Sequence, residues 1–510
     1  MGSAAALLTL LSAASALLGF GRDVVIAAVF GAGAVLDAYL VSQGLMNLIL
    51  GLVAGAMAKA LVPVVARATA TEETAQRASH SATVVLSVTV LVLGVASVML
   101  WLFTRPVVRV LAPGFDAAQS ELAVTSTRII LVAVVFVAGT NLLAAVAQAR
   151  RRFFWAGVQG VPFNLVMIGT VAAFGPRYGV AALAAGFVLG SAARLVCQLI
   201  PLRAIGLRLR ISFDLRDPGF RSVARLAPPL LVGSAIVNVN TLVDRAVGSF
   251  LGEGVISALS YGWRLVTLPE MLVVVSLVTV LYPAFGAAAD DRGELRRLVG
   301  QGLSTVMVVI APMSAALLVC APFVVQIVYQ RGSFDAEAGE ATSTAVMWYA
   351  PALLALAWRE VVTRASYAVG DTVTPVLVAL VAMAVNVVGD VTLGPVFGVP
   401  GLAGTTVLSV GCAALLNTWL LRRRHGAVRL RHVAGLLART GCAAVLSVPA
   451  GLLCAHLVAD RIGDGAVGAA VTAALSSMSI AAVFLAVLAA IRAPELSVLT
   501  AAVRIVLRRG

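Results

Sequence analysis

Leu17 to Val41 reads LLGFGRDVVIAAVFGAGAVLDAYLV. Arg22, Asp23 and Asp37 stand in a run that is otherwise apolar in both directions, and Gly31-Ala32-Gly33 interrupts it midway. Glycines so spaced punctuate helices, so the stretch reads as the end of one apolar helix, a turn and the start of another. A helix needs about 20 mostly apolar residues to cross a bilayer, and the segments on either side are long enough. The fold is decided here: membrane helices, with ionisable groups inside them that need a reason.

The rest of the chain repeats the theme. Its 510 residues are 61% hydrophobic and 12% charged, the balance of a polytopic membrane protein rather than of soluble domains. Glycine, proline and charge divide it into fourteen candidate spans between residues 3 and 491, among them 82–103, 299–328, 341–365 and 440–459. The longest polar connection, Arg203 to Arg225, is only a loop. The formal charge of +14 comes almost wholly from arginine, with Lys59 the single lysine. Arginines placed between apolar runs speak of topology, not of nucleic acid.

With both termini cytoplasmic, twenty-five arginines fall in or beside inward connections and five in outward ones. A span missed or invented early would reverse every later loop and destroy that asymmetry, so the count and the orientation support each other. The first segment lacks a basic leader and reads as a retained span. Cys197, Cys320, Cys412, Cys442 and Cys454 form no CxxC pair, and the four histidines have no ligand spacing. Free thiols and no metal site are expected.

The chain also matches itself. FGAGAVLDAY (Phe30 to Tyr39) resembles FLGEGVISALSY (Phe250 to Tyr261), and each leads into a helix ending ALVP (Pro63) or VLYP (Pro283). APGFDAAQ around Phe115 answers RGSFDAEA around Phe334, and GPRYGVAALAAG at Gly175 answers GPVFGVPGLAGT at Gly394. Several matches in one order at offsets near 220 make a duplication. Six helices per repeat is an even number, so the halves run parallel about an axis along the membrane normal. The expected architecture is therefore an all-α polytopic membrane protein of about 14 transmembrane helices. It divides into an N-terminal six-helix lobe (1–205), a C-terminal six-helix lobe (206–425), and helices 13 and 14 with a cytoplasmic tail (426–510). Two parallel halves with charge inside suit alternating access around a site between them.

Charge at the bilayer centre costs about 2.5 to 3.5 kcal/mol on insertion scales, so it faces a cavity or a partner. Lys59, Arg128, Arg194, Arg359 and Glu360 are close enough to predicted span ends for snorkelling to explain them. Asp37 suits either a helix first turn, where a carboxylate is favoured, or a functional role. Arg22 lies deep in the first span, and neighbouring residues on a helix point about 100° apart. Arg22 and Asp23 are therefore expected to face different ways. Interhelical ion pairing of Asp23 or Asp244 with an arginine is the plain alternative to a cavity role for Arg22, Arg245 and Arg264. An arginine fork in such a cavity suits a phosphate or diphosphate.

These stretches, with LAPGFD, VDRAVGSFLGEGVISALSYGWRLVTLP, RGSFD and RASYAVGDTVTPV, resemble the MurJ (MviN) family of lipid II flippases in the multidrug/oligosaccharidyl-lipid/polysaccharide exporter superfamily. The resemblance spans about residues 12 to 425. It implies fourteen helices in two lobes plus a pair that accommodates a polyprenyl tail. It also implies alternating access that carries a lipid-linked peptidoglycan precursor to the outer leaflet, with a cationic cavity for the diphosphate. By position Arg22 matches the first-helix "RD" arginine, Asp23 and Asp37 match acidic positions, Arg264 matches the "ADRL" arginine, and Asn47 is kept from "PNL". The family's basic pair after that motif is replaced by Leu50 and Gly51, an upstream arginine by Ala16, and two acidic positions by Trp263 and Thr267.

The expected function is a flippase, not an enzyme, for a polyprenyl-diphosphate-linked cell-wall precursor, most simply lipid II, in the bacterial cytoplasmic membrane. Substrate binding is expected at Arg22, Arg264, Arg245 and Asn47, and gating or ion coupling at Asp23, Asp37 and Asp244. No cofactor is expected beyond a coupling ion or the membrane potential. The partners expected are the lipid-linked glycan, the bilayer and other cell-wall synthesis proteins. An exporter of another lipid-linked oligosaccharide or of a small metabolite is the alternative on the same fold. A membrane-embedded enzyme would need acidic or histidine clusters on large loops, and the loops are short. A silent scaffold would tolerate loss of Arg22 and Arg264.

Overall fold

The computed structural model describes residues 2–67, 72–150, 152–202, 211–463 and 465–496. Among them every regular element is helical. The first half runs α1 (Gly2–Phe30), α2 (Ala34–Leu50), α3 (Ala56–Arg67), α4 (Glu72–Leu102), a short α5 (Thr104–Leu111), α6 (Ala117–Ala149), a short α7 (Phe153–Val158), α8 (Gly160–Tyr178) and α9 (Val180–Leu199). The second runs α10 (Pro218–Gly248), α11 (Val255–Pro269), α12 (Val275–Ala287), α13 (Arg292–Val328), α14 (Ala336–Ala368), α15 (Val373–Phe397) and α16 (Val399–His425). α17 (Leu430–Ile462) and α18 (Ala466–Ala490) follow. The tail beyond residue 496 and the arginines at 203, 208 and 210 lie outside the described residues.

Twelve helices among the described residues are long and apolar enough to span a membrane. α1 and α10, helices of 29 and 31 residues, stand at the positions of the first and seventh expected spans. Several helices begin before their apolar runs do. α4 starts at Glu72 rather than 82, and α13, with 37 residues, at Arg292 rather than 299. At 1.5 Å per residue α13 is about 55 Å long, well beyond a hydrocarbon core of about 30 Å. Its first turns are polar because they stand outside that core.

The repeat seen in the sequence recurs in the backbone. α2 passes into α3 through a π-helical turn at Gly51–Gly55, and α11 passes into α12 through another at Glu270–Val274, 219 residues on. Asp116 and Asp335, again 219 apart, cap α6 and α14 by accepting the backbone N–H of Gln119 and Ala338. Gly179 and Gly398 join α8 to α9 and α15 to α16 with φ of 54° and 64°, a conformation that costs a side-chain-bearing residue about 1 kcal/mol or more.

Two compact units result. One comprises Met1–Ile256 with Arg331–Phe334, the other Ser257–Gln330 with Asp335–Gly510. The expected lobes, 1–205 and 206–425, divide the sequence by its repeat, whereas these units divide it by packing. α10 opens the second repeat, yet it packs on α2, α3 and α4 within the first unit. Val223 of α10 joins Leu61, Val85 and Leu142 in one buried cluster. In the second unit α17 and α18 pack against each other and on α13, where Ile480, Phe484 and Leu488 meet Val319 and Ala455. Small residues let backbones approach where lipid offers no hydrophobic drive: a Cβ at Gly451 would meet Ile480 at 2.5 Å. Leu91, Val95, Val98 and Trp101 of α4 are exposed, as a lipid-facing side requires.

Between α14 and α15, outside the spans, Asp371 accepts the backbone N–H of Thr374 at 3.0 Å and its hydroxyl at 2.6 Å. His425 Nε2 lies 3.2 Å from the same carboxylate. Burial alone would raise the pKa of Asp371, but the hydrogen bonds from Thr374 and His425 outweigh it and hold the carboxyl below its ordinary value of 3.8. A depressed carboxylate stabilises the fold above its unfolded pKa, and that contribution is lost as the pH falls through the native value. Acid titration of the thermal midpoint should therefore show a loss below about pH 4 that Asp371→Asn flattens. An unchanged acid limb in the variant would refute the assignment.

Candidate functional site

The first site is built on α1. Gly160 lets α8 approach closely, since a Cβ there would collide with Ser15 Oγ. One turn further, Asn164 donates from Nδ2 to the Ser15 carbonyl at 3.1 Å and accepts from Arg22 Nη1 at 3.2 Å. The other edge of the guanidinium folds onto Asp23, with Nη2 at 2.7 Å and Nε at 3.1 Å from Oδ1. Both side chains are 14% exposed. This overturns the expectation that Arg22 and Asp23 face different ways. The 100° rule fixes Cβ directions, and the long arginine stem curls back to its neighbour. This ion pair lies within α1.

Beneath it lies an aromatic cluster. Phe163 meets Phe187 edge-on at 5.2 Å, and Phe187 meets Tyr39 at 6.5 Å. Arg22 Cζ sits 5.5 Å from the Phe163 ring centre, within the range of a cation–π contact. Arg194 sits 5.6 Å from the same ring, so its head lies against α8.

A second constellation joins the hairpins at one end of the first unit. Asp37, fully buried in the first turn of α2, accepts the Gly254 N–H at 2.7 Å just ahead of α11. Glu253 returns the favour by accepting the Ala34 N–H, the first of α2, at 2.9 Å. The start of α2 and the Glu253–Gly254 turn are thus tied by two reciprocal amide-to-carboxylate bonds. Asp37 does stand in the first turn of α2, and its carboxylate is bonded outside that helix, to Gly254. Ser333 N–H bonds the Ala28 carbonyl at 2.8 Å, and Gly114 N–H bonds Ser249 Oγ at 3.0 Å. Gly31, Gly254 and Gly332 all have positive φ, and a Cβ on any of them would strike a backbone carbonyl.

The remaining sequence candidates are placed as follows. Arg245 on α10 donates from Nη1 to the Leu40 carbonyl, in space that Gly44 leaves free. Its guanidinium pins α10 to α2, and Asp244 is its charged neighbour. Asn47 and Lys59 are exposed on the first unit, and Arg264 is exposed on α11 of the second. Asn164, Phe163 and Glu253 were not among the candidates. An asparagine in the apolar run GVPFNLVMIG was the one available signal for Asn164. Asp390 in α15 is fully buried, hydrogen-bonded by Asn386 Nδ2 at 2.5 Å and by the Thr405 hydroxyl. Among the described residues no group of histidine, cysteine, aspartate and glutamate could hold a metal.

Comparison with known proteins bears on this arrangement. The family described as lipid II flippase MurJ matches residues 26–463. The chain belongs to the MurJ family. A Burkholderia cenocepacia protein named lipid II flippase MurJ is 29% identical over 419 residues, 79% of each chain. A solved structure described as lipid II flippase MurJ in an inward closed conformation superposes with a TM-score of 0.79 at 20% identity, covering 94% of this chain and 98% of that one. A multidrug resistance MATE family transporter of the MOP superfamily gives 0.68 at 14% identity over 81% of this chain and 95% of that one. The fold is thus that of MurJ and its superfamily. At the turn between α2 and α3, a Cβ on Gly51 would lie 2.6 Å from Asn238 Nδ2 of α10, and Leu50 is buried.

Proposed function

We infer that this chain is a flippase that moves lipid II across the bacterial cytoplasmic membrane, from the inner to the outer leaflet. The match of the MurJ family along residues 26–463 carries the reading, and the chain is a multi-pass membrane protein of the matching fold. The arginine asymmetry supports cytoplasmic termini.

The chemistry required is modest. No bond is made or broken, so the protein needs a polar place for the diphosphate and sugars, and a way to open to one side at a time. Arg22 supplies a charged fork held by Asp23 and Asn164, and a diphosphate competes for that fork because guanidinium pairs bidentately with phosphate. Arg264 is the second candidate, from the other unit. Asp37 serves as a gate residue, since breaking its bond to Gly254 frees the start of α11. Arg245 serves packing in this conformation. Membrane potential or an ion supplies the drive, with Asp23 and Asp244 as the carboxylates nearest the arginines.

The absence of the basic residues at Ala16, Leu50 and Gly51 supports a second reading, export of another lipid-linked glycan or of a small metabolite. Expression in a strain depleted of its lipid II flippase decides between them. Restored growth, with labelled lipid II becoming accessible at the outer leaflet, is expected. Membrane insertion without either effect would favour the second reading.

A further inference from the structure

Arg194 is a charge near Arg22 for which the described residues supply no carboxylate. Arg22 is neutralised by Asp23, and Arg245 is spent on the Leu40 carbonyl. Arg194 on α9 has neither kind of partner among the described residues, and its Nε is buried with nothing to bond. Burying a donor without an acceptor costs free energy. Among the described residues its ring contact is with Phe163, which it shares with Arg22. Of the two arginines against this ring, Arg22 has a carboxylate beside it and Arg194 has none among the described residues, which leaves Arg194 the one suited to an added anion.

We propose that Arg194 is a second diphosphate-binding arginine, acting with Arg22 across Phe163 and standing in for the basic residues missing at Ala16, Leu50 and Gly51. This rests on the flippase reading. The two guanidinium carbons, each against that ring, lie within about 11 Å of one another. With a cytoplasmic N-terminus α9 runs inward, and Arg194 stands five residues before its end at Leu199. A head group entering from the inner leaflet meets Arg194 first and Arg22 deeper. Gly190, one turn before Arg194, leaves the room in which Phe163 sits, since a Cβ there would come within 3.0 Å of the ring. The half-buried Arg194 side chain can thus reach ligand without leaving the ring.

The test uses the full chain in nanodiscs of zwitterionic lipid, with undecaprenyl diphosphate as the probe. Arg194→Gln should weaken binding about tenfold to a hundredfold, the worth of a charge-assisted hydrogen bond or two. Arg194→Lys should recover part of it, with thermal midpoints near wild type. Equal affinity of wild type and Arg194→Gln overturns the proposal while leaving the flippase reading intact. Failure of wild type to bind the probe overturns both. Repeating the measurement with anionic phosphatidylglycerol separates a bilayer contact. If Arg194→Gln loses affinity for that lipid alone, Arg194 grips bilayer phosphate and the proposal falls.

Discussion

Arg22→Gln should abolish flipping, lowering the appearance of lipid II at the outer leaflet by about a hundredfold or more, as loss of two charge-assisted hydrogen bonds implies. The same substitution strips Asp23 of its partner, and removing one member of a buried pair costs about 3–5 kcal/mol. Loss of activity alone would therefore be ambiguous between chemistry and folding. The double variant Arg22→Gln with Asp23→Asn resolves it. Both charges go together, the two amides can still hydrogen-bond, and thermal stability should return to near wild type while flipping stays lost. Arg22→Lys keeps charge but not the fork that reaches Asp23 and Asn164 at once, and should keep partial activity. A double variant that flips at the wild-type rate would remove Arg22 from the mechanism.

Asp37→Ala has the second large effect. Gly254 N–H would lose its acceptor in a buried setting, a cost of about 1–3 kcal/mol. The opening falls on the segment ahead of α11, so the peptide covering residues 250–256 should exchange amide hydrogens about tenfold to a hundredfold faster. Glu253→Ala removes the reciprocal bond to Ala34, but that contact is exposed, and its loss should cost only about 1 kcal/mol, as for an ordinary cap. The ranking of the two is the decisive feature. Equal exchange in Asp37→Ala and wild type would mean that the carboxylate does not hold the hairpin.

Some of this was legible in the sequence. The apolar runs gave the helices, because burial of backbone polar groups in lipid leaves helices as the plain solution. The repeat was legible because Pro63 and Pro283, or Gly175 and Gly394, are bound to backbone shape. Helix starts were not: Glu72–Leu102 and Leu430–Ile462 begin about ten residues before their apolar runs, since helix continues into water where hydropathy no longer marks it. Arg22 was found by its depth, but its partner Asn164 is 142 residues away, and no local spacing encodes that. Arg194 was set aside because nearness to a helix end is a statement about Cα height. Which way a side chain of that length turns depends on Phe163, on another helix.

The two π-helical turns carry a geometric consequence. Each amounts to one residue too many in an otherwise α-helical segment, and an extra residue rotates everything after it by about 100°. They stand 219 residues apart, yet the residues at these places, GLVAG and EMLVV, share almost nothing. The two turns therefore act as matching phase breaks: in each repeat the helix face before the break and the face after it are offset by about 100°, whatever letters spell the turn.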